Sequence, residues 1–186
     1  MTNAVVETIA KGNLLWDFAV WAYAQPGVEQ ACLALQNRLG ADVNMVLFCA
    51  WLASRGAGTA ALAKSLDAAL KLSREWQGTL IAPMRICRQN LKAVIETSAL
   101  AGSDRAAASA LRERIKQSEI DLEQLQILAL HALAAGGADQ SVARPPAEQK
   151  ADAFNALTVY FVAAGVRLDS LGQTHVARIL AAVFDR

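Results

Sequence analysis

The sequence has 186 residues, enough for one domain with a substantial core, and 54% of them are apolar but only 6% aromatic. Its formal net charge is +1, which argues against a broad nucleic-acid surface, because such a surface needs a clustered basic excess. The longest uncharged runs fall short of the roughly 18 residues of a membrane span, and the N terminus lacks the pattern of a secretory signal. We therefore expect a cytoplasmic protein that binds neither nucleic acid nor membrane.

Alanine and leucine dominate the apolar residues and favour helices, and no alternating β-branched run is long enough for a strand. The sequence predicts an all-α fold, a compact bundle of about six helices followed by a C-terminal two-helix hairpin. We expect a mobile N terminus over residues 1–12 and a helical bundle domain over 13–135. A linker rich in glycine and proline covers 136–147, and the hairpin covers 148–186.

The first helices have clear start and stop signals. Asn13 is a good N-cap for a helix from Leu14 to about Ala24. Pro26 suits the first turn of the next helix, and Gly40 suits the residue just after its end, where a positive φ is usual.

The stretch after Gly40 is the most apolar in the chain. Asp42 can cap a helix over Val43–Ser54, a segment that contains no charged residue. A helix that is apolar nearly all round is buried all round, so this segment is predicted to be the central helix of the core.

The next two helices are separated at Gly78. One helix is predicted over 59–77, and Thr79 and Pro83 open another that continues to about Ser98. The apolar seam of that second helix is predicted to be Met84, Cys87, Leu91, Val94 and Ile95. A basic stripe lies beside that seam and consists of Arg85, Arg88 and Lys92.

A long helix is predicted over 104–135. Its core stripe is predicted to be Leu111, Ile115, Leu122, Leu125, Ala129 and Leu133. Glu119 and Glu123 lie beside that stripe, four residues apart, and repel each other unless a cation is near. In the hairpin, a first helix over 148–164 is predicted to bury Phe154, Leu157 and Phe161. Ser170 and Gln173 match a capping box for the second helix.

The three cysteines, Cys32, Cys49 and Cys87, are far apart in the sequence and lie on predicted apolar faces. Because no C-x-x-C pair exists, zinc and redox sites are excluded on spacing, and small buried hydrophobic residues are the expected role. We predict no metal site and no cofactor.

Many of the rarer residues occur in an order typical of a known family. They are Trp16-Asp17-Phe18, Tyr23, Gly27-Val28, Ala31-Cys32-Leu33, Leu35-Gln36, Gly40, Asp42-Val43-Asn44, Leu47-Phe48, Trp51, Trp76, Pro83, Arg85, Arg88, Leu91-Lys92, Glu119 and Glu123. Over roughly residues 13–134 the chain resembles the proteobacterial family called domain of unknown function 2390. That family has no established activity, so the resemblance implies no substrate or cofactor. Met84 stands where the family usually has leucine, a change that packing tolerates.

Two charged sets are candidate binding residues. Arg85, Arg88 and Lys92 could hold a phosphate or carboxylate, since arginine binds such groups through two parallel hydrogen bonds. Glu119 and Glu123 could share a metal or divide acid and base roles. We favour a simpler interpretation, in which the cations either face solvent or pair with the two glutamates across an antiparallel helix pair.

A third candidate is polar and lies among aromatic residues. Asp17, Gln36, Asp42 and Asn44 could line a small pocket with Trp16 and Trp51. Here too we favour the simpler interpretation, which is that these polar groups cap helices and tie them together.

Three functions remain open from the sequence. The leading hypothesis is a non-enzymatic protein-binding or adaptor module, or a self-associating one, which uses an apolar groove or the Arg85–Lys92 stripe. The first alternative is a sensor that binds a small anionic ligand through Arg85, Arg88 and Lys92. The second is an enzyme that uses Glu119 or Glu123 as acid–base groups or metal ligands. No nucleophile–base pair is evident, so no catalytic residue is assigned.

Overall fold

The structure of the chain is a computed structural model that describes residues 12–57, 59–134 and 144–185, without the side chains of 59–61. Its helices are α1 (Leu14–Tyr23), α2 (Val28–Leu39), α3 (Val43–Ser54), α4 (Thr59–Trp76), a π turn (Gln77–Ile81), α5 (Ala82–Thr97), α6 (Gly102–Ala134), α7 (Pro146–Ala163) and α8 (Ser170–Phe184). No strand occurs in these residues. The predicted all-α fold is confirmed, with α1 to α6 as the bundle helices and α7 and α8 as the hairpin.

Parts of the predicted domain organisation lie outside the described residues. Residues 1–11 of the expected mobile N terminus and 136–143 of the expected linker are among them. The described end of that linker, residues 146 and 147, belongs to α7. The division of the chain into these domains stays a prediction.

The first two helices begin and end as their local sequence predicts. The Asn13 side chain accepts hydrogen bonds from the backbone N–H groups of Leu15 (3.1 Å) and Trp16 (3.0 Å), so it caps α1. Gly40 follows α2 with a φ of 70°, a conformation that glycine adopts without strain. Pro26 lies just before α2 rather than in its first turn, because α2 begins at Val28.

Helix α3 is the centre of the fold, as predicted. All its residues from Val43 to Ala53 are buried. Helix α7 packs along α3, and α8 packs along α2. Tyr160 of α7 and Ile179 of α8 therefore belong to the same hydrophobic core as α3. The hairpin is docked on its own chain.

The predicted helix end at Gly78 is wrong. The chain remains helical from α4 through the π turn into α5, and Gly78 does not adopt a positive φ. At the end of the π turn the Ala82 N–H donates to the carbonyl of Gln77, five residues earlier. Pro83 supplies the physical reason, because its ring would crowd the carbonyl four residues before it in a regular α-helix. The wider turn keeps the helix continuous across the proline.

The predicted buried face of α6 is also wrong in part. Leu111 and Leu133 are exposed, although they were expected in the core stripe. The residues that α6 does bury are Glu119, Gln124, Gln126, Ile127, Leu130 and Ala134. The spacing of apolar residues does not identify this face, because three of its residues are polar. Polar side chains are buried only where hydrogen bonds satisfy them, and those partners are not visible in the apolar pattern.

Expectations fail at four further positions. Cys87 and Val94 are exposed on α5, because α5 turns its arginines rather than that part of its apolar seam toward α6. Phe154 is exposed on α7. The cap of α8 is Asp169 instead of Ser170, and its carboxylate accepts from the Gly172 N–H at 2.7 Å.

Candidate functional site

Two arginines of α5 and two glutamates of α6 form one ion-pair cluster, which we call the Arg–Glu cluster. Arg85 donates through Nε to Glu119 Oε1 at 2.7 Å and through Nη2 to Glu123 Oε1 at 2.6 Å. Arg88 donates through Nε to Glu119 Oε2 at 2.6 Å. Both oxygens of Glu119 are therefore occupied. The charges of the two helices meet each other, as the ion-pair interpretation predicts.

The two glutamates of the cluster differ in electrostatics. Burial alone would raise the pKa of Glu119, but the hydrogen bonds and charges of Arg88 and Arg85 outweigh it, so that pKa lies below its usual value. For Glu123 the balance is opposite. Burial, together with the nearby charge of Glu119, raises its pKa to about 7, although Arg85 acts against the shift.

Lys92 does not join the cluster. Its Nζ lies 3.7 Å from Glu96 Oε1, one turn along α5, and both side chains are largely exposed. An exposed pair of this kind contributes only about 0.3–0.5 kcal/mol. The predicted stripe therefore divides into two partly buried arginines and one solvated lysine.

The cap of α3 is the centre of a buried polar network. One carboxylate oxygen of Asp42 accepts from the N–H groups of Asn44 (2.9 Å) and Met45 (3.4 Å). The other accepts from Ser73 Oγ (2.6 Å) and from Gln126 Nε2 (2.7 Å). Burial raises the pKa of Asp42, and these four hydrogen bonds oppose the shift. The prediction of Asp42 as a helix cap is confirmed.

The same network fixes the orientation of two side-chain amides. Because Gln126 donates its amide nitrogen to Asp42, its oxygen is left to accept, and Asn44 Nδ2 donates to it at 2.7 Å. Asn44 Nδ2 also donates to the Glu123 carbonyl at 3.0 Å. In addition, the Tyr160 hydroxyl of α7 accepts from the Asp42 N–H at 2.6 Å. Helices α3, α4, α6 and α7 are thus joined at one buried point.

A cavity of about 550 Å³, which we call the pocket, lies between α1, α2, α3 and α6. Most of its lining is apolar or aromatic, from Trp16, Ala19, Val20, Tyr23, Leu33, Val43, Leu47, Ile120 and Ile127. Its polar lining consists of Glu29, Gln36, Asp42, Asn44, Gln77, Lys116, Glu123 and Gln124. Because Val20, Glu29, Leu33 and Lys116 are exposed, the pocket opens at the surface. A cavity of this size and lining is typical of a binding site.

The structure brings together part of the predicted pocket. Trp16, Gln36, Asp42 and Asn44 line it, together with Glu123, which was predicted as part of a different candidate set. Asp17 is exposed on α1 and does not line it. Trp51 is buried elsewhere in the core, where its ring centroid lies 5.3 Å from that of His131.

Three members of the polar network, Ser73, Gln126 and Tyr160, were not predicted from the sequence. Gln126 did carry a signal, since it is an amide in the uncharged run 124–134, on the helical face that includes Ile127 and Leu130. Ser73 carried none, because serine is ordinary on any face of a helix.

The chemistry that the described residues offer is binding through an apolar surface with a few polar groups. Within residues 12–57, 59–134 and 144–185, no three of the His, Cys, Asp and Glu side chains are grouped so as to hold a metal ion. None of the helices in that part of the chain combines the length and the apolar character that crossing a membrane requires.

Comparison with known proteins gives one result. The family model described as "Protein of unknown function (DUF2390)" matches residues 14–130, which covers α1 to α5 and most of α6. No curated protein and no solved structure matches the chain.

Proposed function

The chain belongs to the DUF2390 family, and we propose that it is a non-enzymatic protein-binding module whose pocket receives an apolar segment of a partner protein. One observation carries this proposal: the pocket of about 550 Å³ is mainly apolar, and Val20 and Leu33, both exposed, lie at its mouth. An apolar rim at the mouth of the cavity gives a partner surface more area to cover than a small enclosed ligand would use. The isolated thiols fit the cytoplasmic location that we retain in the proposal.

The ion pairs weaken the two alternatives. A sensor for small anions needs free cations, but Arg85 and Arg88 already donate to glutamates within 2.7 Å. Acid–base or metal chemistry at Glu119 needs a free carboxylate, and both of its oxygens are bound. Glu123 has a raised pKa and lies in the pocket lining, but one of its oxygens is held by Arg85 and no second acid–base group is paired with it among the hydrogen bonds of the described residues.

The test is a comparison of two valine-to-tryptophan variants. Val20→Trp puts a large ring at the mouth of the pocket, whereas Val162→Trp adds the same ring to an exposed position of α7 that does not line it. The full-length proteins are used as baits for a lysate of the source organism, and the captured proteins are quantified by mass spectrometry. We expect partners that the wild type and Val162→Trp retain and Val20→Trp loses.

The same proteins are measured by light scattering during size-exclusion chromatography. A dimer that Val20→Trp alone disrupts would identify a second copy of this chain as the partner. If Val20→Trp changes neither the captured proteins nor the mass in solution, the pocket is not a protein-binding site and the proposal fails.

A further inference from the structure

We infer that the partner segment presents a lysine or arginine beside its apolar side chains, and that Glu123 and Asn44 accept hydrogen bonds from that basic group. The inference rests on the proposed function, because it concerns the occupant of the same pocket. Four observations support it: the hydrogen-bonding state of Asn44, the second oxygen of Glu123, the balance of charges in the lining, and the aromatic wall.

Asn44 can offer a ligand an acceptor but no donor. Both hydrogens of its amide are used, one by Gln126 Oε1 and one by the Glu123 carbonyl. The orientation of this amide is fixed through Gln126, whose own nitrogen faces the Asp42 carboxylate. Asn44 lines the pocket, and the side-chain atom that it has left for an occupant is therefore Oδ1, which requires a donor.

Glu123 has one oxygen to spare. Its Oε1 accepts from Arg85, and Oε2 accepts no hydrogen bond from the described residues. Its side chain is 31% exposed, so an occupant of the pocket can reach it. A carboxylate oxygen without a donor in a mainly apolar cavity favours an occupant that brings a cation.

The charges of the lining are unbalanced toward the acidic side. Glu29, Asp42 and Glu123 line the pocket, and Lys116 is the basic residue among the lining side chains. The ammonium of Lys116 lies 3.8 Å from Glu113, a residue outside the pocket lining, so its charge is shared with that carboxylate. Arg85 shares the charge of Glu123 in the same way, so the acidic excess rests on Glu29 and on the second oxygen of Glu123, to which a basic occupant is complementary.

The aromatic wall suits the same kind of side chain. Trp16 and Tyr23 of α1 line the pocket beside these acceptors. Lysine and arginine pack their aliphatic stems on such rings and gain a cation–π attraction when the charged end lies over a ring face.

The experiment is an unbiased selection from a displayed library of random 14-residue peptides. The full-length wild type is the target, and Val20→Trp is used for counter-selection, so that the retained peptides depend on the pocket. We expect enrichment of sequences with a lysine or arginine flanked by apolar residues. Enrichment of acidic or uncharged apolar sequences would overturn the inference but leave the proposed function standing. If no peptide depends on the pocket, both fail.

Binding constants for the best enriched peptide then test the residues. At about pH 8.5, above the raised pKa of Glu123, Glu123→Gln should weaken its binding about tenfold or more, since the charge of the acceptor is lost. Glu96→Gln is the matched control, because Glu96 is exposed on α5 outside the pocket, and it should leave binding unchanged. The same loss is expected on the wild type when the basic residue of the peptide is replaced by methionine, a comparison that does not depend on how well Glu123→Gln folds. If the methionine peptide binds as tightly as its parent, the inference is wrong.

Discussion

The side-chain amide of Gln126 donates to the carboxylate of Asp42 at 2.7 Å, although 84 positions separate them in the sequence. Both side chains are buried, and the bond ties the N-cap of α3 to the C-terminal third of α6. Gln126 in turn accepts a hydrogen bond from Asn44 and so orients its amide. The cap residue Asp42 therefore determines, through Gln126, that Asn44 offers an acceptor to the pocket.

Asp42→Asn should destabilise the fold by about 2–3 kcal/mol, because the new amide nitrogen faces the donors Ser73 and Gln126. Urea unfolding followed by circular dichroism measures the loss. The control is Asp17→Asn, the same change at an exposed position of α1, for which we expect less than about 1 kcal/mol. Equal losses in the two variants would show that the buried network contributes little to stability.

Glu119→Gln should cost about 3–5 kcal/mol, since it leaves Arg85 and Arg88 with an uncharged and only partly satisfying partner in a mostly buried place. Glu96→Gln removes an exposed pair with Lys92 and should cost about 0.5 kcal/mol or less. Both are measured as free energies of unfolding in urea. A small loss of unfolding free energy for Glu119→Gln would show that the ion pairs contribute little to the fold, and the Arg–Glu cluster would again be a candidate binding site.

The raised pKa of Glu123 predicts a specific pH dependence of stability. Between pH 4.5, the ordinary value, and about pH 7, the folded state holds a proton that the unfolded state has lost, so stability falls as pH rises through this window. Glu119, whose pKa is lowered, gives the opposite slope, and it does so below pH 4.5.

The contribution of Glu123 is obtained by measuring the free energy of unfolding of the wild type and of Glu123→Gln at each pH and taking the difference. Asp42 and His131 also have shifted pKa values, and subtracting the two stability curves cancels their share. The wild type should lose at most about 3 kcal/mol relative to the variant between pH 4.5 and 7. A difference that stays constant with pH would show that Glu123 is ionised throughout.

The cysteines should differ in how fast they react with a thiol reagent that forms a mixed disulfide and releases a coloured product. Cys87 is exposed, whereas Cys32 and Cys49 are buried, and burial raises the pKa of each of those two thiols to about 12. Because the thiolate is the reactive form, the folded protein should label rapidly at Cys87 alone. All three cysteines should react in urea, and Cys87→Ser should abolish the rapid phase. Rapid labelling that survives in Cys87→Ser would show that the core opens readily.

The local features of the fold were predictable from the sequence, and the partners of its polar residues were not. Asn13, Gly40 and Asp42 carry signals that act within a few residues, so the helix ends they set were read correctly. The uncharged segment Val43–Ser54 identified the core helix in the same way.

The errors arise where tertiary contacts outweigh the apolar pattern. The predicted stripe of α6 placed Leu111 in the core and left Glu119 outside, because apolar periodicity gives no weight to a buried carboxylate, although the charge pattern did suggest its pairing with Arg85 and Arg88. For the candidate site, Asn44 and Gln36 were found by their place among aromatic residues, but the acceptor-only state of Asn44 depends on Gln126, a contact that no spacing rule supplies.

The π turn between α4 and α5 determines the direction in which the side chains of α5 point. A π turn contains about one residue more than an α turn, and each helical residue advances the side-chain direction by about 100°. The added residue thus acts as a phase correction that aims Arg85 and Arg88 at α6. Deleting Gly78 would remove this correction, so that the ring of Pro83 would crowd the carbonyl four residues before it and both guanidinium groups would turn away from their carboxylates.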